Sequence, residues 1–148
     1  MLPLGSQLSC KGFLELKVIR DGKVVRVVRK RNLIVNTGLA LLAYLAIGSG
    51  TAPTHIAIGT DGTAPAAGDT ALNSEIDRQP ATKSRVTTSV TNDTAQYVAS
   101  FSFSGSYTIR EAGLFNAAAG GDMLARQTFS VSVISGDTLQ VTWKIQFS

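Results

Sequence analysis

The chain has 148 residues, of which 44% are hydrophobic and 16% are charged, and its formal net charge is +4. A chain of this length is most economically one domain, and its charged fraction is below the roughly one quarter that is usual for soluble domains. The single cysteine, Cys10, excludes an internal disulfide and any metal site built from several cysteines. This composition favours a protein that packs against neighbours, with a sheet-rich monomer solubilised by hydroxyl groups as the alternative.

Neither a secretory signal nor a membrane span is predicted. Residues 1–10 are mildly apolar but have no basic start. The most apolar run, residues 39–47, is far shorter than the roughly 20 residues that cross a bilayer. We therefore expect a protein that is made in the cytoplasm and stays soluble or joins an assembly there.

Positive charge is concentrated near the N-terminus. Residues 11–31 contain eight of the fourteen basic residues and two acidic ones, so they carry a net +6 while the rest of the chain carries −2. The eight basic residues are Lys11, Lys17, Arg20, Lys23, Arg26, Arg29, Lys30 and Arg31. Such a stripe is typical of a surface that meets an anionic partner or of a solvated face.

Residues 1–12 are predicted to form an extended N-terminal arm, with Cys10 as a free thiol in it, and residues 13–148 a single β-sandwich domain. The domain begins with two apolar strands, GFLELKVIR and KVVRVVRKR. Between them lies Asp21-Gly22, the strongest short signal for a β-hairpin.

A two-residue turn at this point predicts the pairing of the two strands. Val18 would lie opposite Val25, and Lys17 opposite Arg26. Two like charges directly opposite are unfavourable unless an anion lies nearby, although Glu15 is diagonal to Arg26 and would relieve the repulsion.

One short helix is predicted at about residues 37–47. Asn36 or Thr37 is placed to cap its start, and Gly48 to end it. Its apolar side chains leave no polar stripe, so we expect the helix to be buried nearly all round. These side chains are Leu39, Leu41, Leu42, Leu45 and Ile47. The helix would close one end of the sandwich or form one side of a subunit contact.

A short strand at residues 54–60 is followed by an irregular loop at residues 61–75. A loop of that length in a compact domain is usually functional or lies against something. The acidic residues of this region do not have the spacing of a calcium-binding loop, so turn formation and capping explain them better than a metal. They are Asp61, Asp69, Glu75 and Asp77.

Strict alternation of apolar and polar residues predicts antiparallel strands in the C-terminal half. Residues 81–104 are expected to form a hairpin around a two-residue Asn92-Asp93 turn. Residues 107–129 are expected to form a second pair of strands around Gly120 and Gly121.

The last strand, TLQVTWKIQF, is expected to pair with the strand before it through a loop at residues 135–137. Its apolar side chains Leu139, Val141, Trp143, Ile145 and Phe147 would then point inward. About eight strands and one short buried helix predict an all-β fold, an antiparallel β-sandwich of jelly-roll or Greek-key type.

No residue pattern points to catalysis, to a cofactor or to a metal. His55, the only histidine, begins a strand, where a surface or edge position is expected. Glu111 lies among apolar and small residues and is expected to form a salt bridge with Arg126 or Arg78, within the fold or between subunits. No second carboxylate or histidine is evident beside it for acid–base chemistry. We predict that the protein is not an enzyme.

Four stretches of the chain, taken in order, resemble small virion structural proteins of tailed bacteriophages. They are NLIVNTGLALLA at 32–43, IAIGTDGTAP…DTALNSEIDRQ at 56–79, YTIREAGLFNAAAGGDMLARQTF at 107–129, and GDTLQVTWKIQF at 136–147. The resemblance extends over nearly the whole chain. It is shared by capsid decoration (cement) proteins and by tail-appendage proteins.

The resemblance implies a decoration protein that binds the outer capsid lattice and stabilises the head by non-covalent bridging of major capsid proteins. The implied partners are the major capsid protein and further copies of this chain, as a homodimer or homotrimer. The implied location is the outer capsid surface of a virion whose parts are made in the host bacterial cytoplasm. A tail-fibre, baseplate or adaptor component of the same particle is the alternative.

The candidate partner-binding residues are Lys17, Lys23, Arg26, Arg29, Lys30 and Arg31. We expect residues 1–31 to hold the partner and residues 81–147 to form the core. An acidic protein partner is favoured because an extended strand can add to a neighbour's sheet edge while its basic residues fix the orientation. Nucleic acid is a remote alternative, because aromatic residues for base stacking are missing from the stripe except for Phe13.

Overall fold

The computed structural model describes residues 8–148, so most of the expected N-terminal arm lies outside the described residues. Within this range the chain forms nine strands and one helix. Their bounds are β1 Cys10–Arg20, β2 Lys23–Ile34, α1 Asn36–Ala46, β3 His55–Gly59, β4 Glu75–Pro80, β5 Thr82–Val86, β6 Thr94–Ser102, β7 Tyr107–Phe115, β8 Met123–Val133 and β9 Thr138–Phe147. The predicted all-β class with one helix is confirmed, and β4 is a strand that the sequence did not predict.

The strands form one antiparallel sheet in the order β4-β3-β7-β8-β2-β1-β9-β6-β5. Its outermost strands, β4 and β5, are separated in sequence only by Ala81, so the sheet curls until its two ends meet. Strand β2 belongs to both halves of the curled sheet, because residues 23–32 pair with β1 whereas Leu33 and Ile34 pair with β8. The result is a nearly closed, barrel-like sandwich.

The core lies between the two halves and is built from the inward positions of six strands. As predicted, the alternation in β9 puts Leu139, Val141 and Trp143 in the interior with no exposed surface. Leu14 and Leu16 of β1 are also only 1% exposed, since β1 lies between β2 and β9 in the sheet. The expectation that residues 81–147 form the core was therefore incomplete, because the first strand is part of it.

Two predicted hairpins differ from the structure. Strands β5 and β6 do pair, but residues 87–93 form a longer loop between them, and Val86 lies opposite Thr94. The side chain of Asp93 accepts hydrogen bonds from the backbone nitrogens of Thr88, Ser89 and Val90, which fixes that loop. Such local bonding by an aspartate competes with a tight two-residue turn.

Strands β8 and β9 do not pair with each other. Residues 134–137 carry the chain from one half of the sandwich to the other, and β9 pairs with β1 and β6 instead. Asp137 stabilises this crossing, because its carboxylate accepts hydrogen bonds from the backbone of Ile134 and from the guanidinium of Arg20. The two strands still share a core, which is why their alternation alone suggested a hairpin.

Helix α1 forms where it was predicted, and Gly48, with a φ of 82°, follows its last turn. Its N-cap is Val35, whose side chain makes no capping hydrogen bond, and Thr37 instead donates to the carbonyl of Met123. The predicted burial is wrong: Gly38 and Leu41 are the buried residues of the helix, while one side of it faces outward. Gly38 allows this docking, since a Cβ there would lie 2.1 Å from the carbonyl oxygen of Leu124.

Candidate partner-binding surface

The β1–β2 hairpin turns at Asp21 and Gly22, whose φ angles are 51° and 75°. Positive φ at both central residues is what a two-residue turn needs to match the twist of its strands. The register then shifts between Val18 and Ile19, because Val18 lies opposite Arg26 and Ile19 opposite Val24. This β-bulge leaves Val25 without a partner in the ladder, so every later residue of β2 is displaced by one position.

The bulge overturns the predicted pairing of Val18 with Val25 and of Lys17 with Arg26. Glu15 instead lies opposite Arg29, whose Nε donates to Glu15 Oε2 over 2.8 Å. Lys17 Nζ lies 3.5 Å from the other oxygen of Glu15. The displacement therefore replaces a repulsive cross-strand pair with an attractive one, which is favourable in a sheet.

The six candidate basic residues divide between the two faces of the hairpin. Lys17, Arg29 and Arg31 lie on the outer face, because their positions alternate with buried Leu14, Leu16 and Val18 in the ladder. Arg26, Lys30 and Lys23 lie on the opposite side. Lys30 uses its ammonium to donate to the backbone carbonyl of Thr128, at 2.9 Å. The structure thus places three of the six predicted residues on the outer face.

The outer face contains a groove of about 720 Å³, which we call the basic groove. Its charged lining residues are Glu15, Lys17, Arg29, Arg31 and Lys144, together with Lys30 of the opposite face, so four of the six predicted residues line the groove. The rest of the lining includes Phe13, Val98 and uncharged polar residues of β6, β9 and the loop between β5 and β6. Lys144 was not predicted, because it is distant in sequence and joins the groove only through the pairing of Phe13 with both Arg31 and Lys144. The alternation of polar residues along β9 was the signal that could have placed it on this face.

Glu15 is the acidic residue in the lining of the basic groove. Partial burial alone would raise the pKa of Glu15, but the hydrogen bond from Arg29 and the charges of Lys17 and Arg29 bring it below its ordinary value. The carboxylate is therefore ionised near neutral pH and offsets one of the surrounding positive charges. The groove keeps an excess of positive charge and suits an anionic group.

Beside the groove, part of β2 is an unpaired sheet edge. Among the described residues, Lys23–Asn32 pair with β1, except for the bulge residue Val25, and none of them pairs with another strand. The side-chain amide of Gln127 donates to the carbonyl of Arg31, so the fully open part is residues 23–30. We call residues 23–30 the free edge. Val24 and Val25 are about half exposed there, at 51% and 52%.

A second polar cluster lies inside the fold, around Glu111 and Arg126, which are both completely buried. The predicted salt bridge between them is confirmed within the fold: Arg126 Nη2 lies 3.0 Å from Glu111 Oε1. Glu111 also accepts hydrogen bonds from the backbone nitrogens of Asp61, Asn73 and Ser74. A buried carboxylate needs several such donors to offset its lost hydration, so this cluster fixes both ends of the β3–β4 loop.

The acidic residues of that loop act as turn and contact residues. Asp61 accepts from the backbone nitrogen of Thr63 and from the side chain of Asn73. Hydrogen bonding by the Thr63 side chain, then by Asn73 and by the Thr63 backbone, lowers the pKa of Asp61 to about 2. Asp69 accepts from Ala66 and from Arg126. The expected role in turns is confirmed for these two residues, whereas Glu75 and Asp77 lie in strand β4 and not in a turn or a helix cap. In the part of the chain that the structure describes, no three His, Cys, Asp or Glu side chains are grouped as a metal site would need.

Arg78 fastens the neighbouring turn between β7 and β8. Its Nη1 donates to the carbonyls of Ala117 and Gly120, and its guanidinium carbon lies 3.8 Å from the centre of the Phe115 ring. It also forms a salt bridge with Glu75 at 2.6 Å. Arg78 is therefore not the partner of Glu111; it holds the turn that contains Gly120 and Gly121.

The remaining candidate reactive residues are separated from one another. His55 begins β3, as expected, and its Nδ1 lies 2.7 Å from the hydroxyl of the adjacent Thr54. Cys10 is the first residue of β1 and pairs with Phe147 rather than lying in a free arm. Burial raises the pKa of the Cys10 thiol, which makes it less reactive.

The outward side of α1 forms an apolar patch. Leu39, Tyr44 and Ile47 are 52%, 54% and 76% exposed. Residues 36–47 contain no charged side chain. An exposed apolar patch of this kind on a small domain is typical of a contact with another protein surface.

No helix within residues 8–148 has the length and hydropathy to cross a membrane. Comparison of the chain with protein-family models, with curated proteins and with solved structures found no match.

Proposed function

We propose that this protein is a structural component of a tailed-bacteriophage virion, and specifically a capsid decoration protein. It binds the outer capsid lattice and stabilises the head by bridging neighbouring major capsid proteins without covalent bonds. The assignment to a tailed-bacteriophage particle is supported by the resemblance of the four sequence stretches to virion structural proteins of such phages. The observation that carries a binding role is the basic groove beside the free edge of β2, since together they offer charge and backbone hydrogen bonds to a protein partner.

The proposed mechanism is the addition of many modest contacts. Each copy contributes buried area at a boundary between capsid subunits, and a copy that contacts two subunits holds both at once. The rigid sandwich suits this role, because bridging resists separation only when the bridge itself does not deform. The resulting shell withstands outward pressure from packaged DNA better than the undecorated shell.

Self-association is the second part of the proposal. The apolar side of α1, with Tyr44 and Ile47, offers an uncharged surface that a second copy of the same helix would complement in a symmetric contact. A homodimer or homotrimer formed in this way leaves the basic groove of each copy available to the capsid. The groove and the helix patch are on different elements, β1, β2 and β9 for the groove and α1 for the patch.

The test is to separate DNA-filled heads from tails of purified virions and to quantify this chain in each fraction by mass spectrometry. A decoration protein is present in many copies per head and in proportion to the major capsid protein. A few copies confined to tails would make it an appendage component instead. Absence from both fractions would refute the proposal and favour the nucleic-acid alternative.

A variant experiment tests the binding surface on the same particles. Arg29→Glu together with Arg31→Glu should reduce the number of copies retained on heads after washing. The matched control is Lys83→Glu with Arg85→Glu, which changes the net charge by the same amount on the exposed strand β5. Equal loss of both variants would mean that only overall charge matters.

A further inference from the structure

We propose that the free edge of β2 binds an acidic, extended polypeptide segment of the partner, which adds as a further antiparallel or parallel strand. The inference deepens the proposed function and rests on it for the existence of a protein partner. It assigns the chemistry of the contact: backbone hydrogen bonds along residues 23–30, and carboxylates on the side of the basic groove.

The free edge is long enough for such an addition. Seven of the eight residues from Lys23 to Lys30 pair with β1, Val25 is the bulge residue, and none of the eight pairs with another strand of the described chain. Their outward backbone groups therefore have no strand partner. Valines at positions 24, 25 and 27 are 51%, 52% and 39% exposed. Strands that lie at a sheet edge in this way are templates for another strand unless they are blocked.

Lysine and arginine on an edge are also a common means of preventing unwanted pairing. Here every charge on the free edge is positive: Lys23, Arg26, Arg29 and Lys30. A second copy of the same edge would bring two such sets together, and like charges across a ladder are unfavourable. The side chains of an acidic strand would instead be attracted to these basic residues. The charges of the free edge therefore disfavour pairing with a second copy of the same edge and favour pairing with an acidic strand.

The basic groove explains where the carboxylates of that partner would lie. Side chains at alternate positions of an added strand project on the same face as Arg29 and, two residues on, Arg31. Arg29 already donates to Glu15 through Nε, which holds its guanidinium on the outer face. Lys144 lies on the far side of Phe13 and extends the positive charge across the groove.

The experiment uses the purified chain and a fluorescent peptide of alternating glutamate and threonine, about eight residues long, which is within the usual range of strands. Three further probes separate the causes of binding. A peptide of the same sequence with a methylated backbone keeps the charge but cannot donate ladder hydrogen bonds. A peptide of lysine and threonine reverses the charge, and single-stranded DNA of matched charge tests the nucleic-acid alternative.

We expect the glutamate peptide to bind and to slow hydrogen exchange of the backbone amides in residues 23–30. Backbone methylation should weaken binding by about tenfold or more, since the ladder is lost. Arg29→Glu with Arg31→Glu should weaken it by a similar factor, whereas Lys83→Glu with Arg85→Glu should leave it nearly unchanged. Circular dichroism of each variant checks that the fold is retained.

Several results would overturn the inference. If the methylated peptide bound as tightly as the unmethylated glutamate peptide, the contact would depend on charge attraction alone. If the single-stranded DNA bound more tightly than the glutamate peptide, the basic groove would be assigned to nucleic acid. A concentration-dependent dimer that protects residues 23–30 without peptide would assign the edge to a second copy. Failure of the glutamate peptide to bind would also reject it. That failure would leave the head–tail measurement, which decides the proposed function, unaffected.

Discussion

Replacement of Glu111 by alanine should destabilise the protein far more than replacement of Glu15, although the two salt bridges have similar lengths. Arg126 lies 3.0 Å from Glu111, and Arg29 lies 2.8 Å from Glu15. Distance alone would make the Glu15 pair at least as strong. Burial reverses the order, because the Glu111 pair is completely buried while the side chain of Arg29 is 73% exposed.

The magnitude follows from what the Glu111→Ala substitution leaves behind. Arg126 stays in the interior with the Thr63 carbonyl and Asp69 on one nitrogen and only a distant Asp61, at 3.8 Å, near another. Removal of one partner of a buried pair costs about 3 to 5 kcal/mol. Three backbone N–H groups of the β3–β4 loop also lose their acceptor, at about 1 to 3 kcal/mol each if they stayed buried.

Those costs together would approach the whole stability of a typical domain, about 5 to 15 kcal/mol. The loop is expected to open instead and let water satisfy its amides, which limits the loss to about 3 to 5 kcal/mol. Glu111→Gln should recover only part of that loss, since all partners of Glu111 are donors and an amide supplies a single acceptor oxygen. Glu15→Ala should cost about 0 to 1 kcal/mol.

Urea unfolding followed by fluorescence of the only tryptophan, the buried Trp143, measures these differences. With a slope of about 2 to 3 kcal/mol per molar urea, the expected loss of about 3 to 5 kcal/mol for Glu111→Ala lowers the unfolding midpoint by roughly 1 to 2.5 M. Hydrogen exchange at Asn73 and Ser74 should accelerate in the same variant. A loss below about 1 kcal/mol, or one equal to that of Glu15→Ala, would refute the argument that burial decides the strength of the pair.

Three further predictions concern the core, the pH dependence and the helix patch. Trp143→Ala should cost about 3 to 5 kcal/mol, because the side chain is completely buried; calorimetric melting near that of the wild type would contradict its central position. Hydrogen bonds from Arg20 lower the pKa of Asp137 to about 2, whereas an aspartate in an unfolded chain has a pKa of roughly 3.9. The ionised Asp137 carboxylate therefore stabilises the fold above about pH 4, and this stabilisation is lost as the pH falls towards about 2. The difference in urea midpoint between the wild type and Asp137→Asn should therefore narrow from about pH 5 to about pH 2, and a constant difference would count against the Arg20 contact. Tyr44→Asp with Ile47→Asp should shift the protein towards monomer in light scattering with little change in melting, whereas an unchanged mass would move self-association away from α1.

Properties that depend on neighbouring residues were predictable from the sequence. The Asp21-Gly22 turn formed because only a few residue pairs accept positive φ at both positions. The inward side chains of β9 followed from alternation, since the two faces of any strand repeat every second residue. Glu111 was identifiable as a paired residue because an ionised carboxylate among apolar residues requires a partner.

The partners of each strand were decided by tertiary structure. β9 lies between β1 and β6 and not beside β8, although both β8 and β9 contribute to one core. The alternation of apolar and polar residues predicts which side chains point inward. It does not predict which strand lies next to which, because the pattern is the same for any neighbouring strand. The choice depends on contacts between residues far apart in the chain, for which a single sequence has no local signal.

The candidate surface depends on the same long-range choices. One extra residue in β2, Val25, moved Arg29 opposite Glu15 and placed Arg31 beside Phe13 and Lys144. A shift of one position exchanges the two faces of a strand, so the basic stripe was visible in the sequence but its division between the groove and the opposite face was not. The exposure of α1 has a similar cause. Composition predicted an apolar helix, and only its docking through Gly38 and Leu41 determined which side stays uncovered.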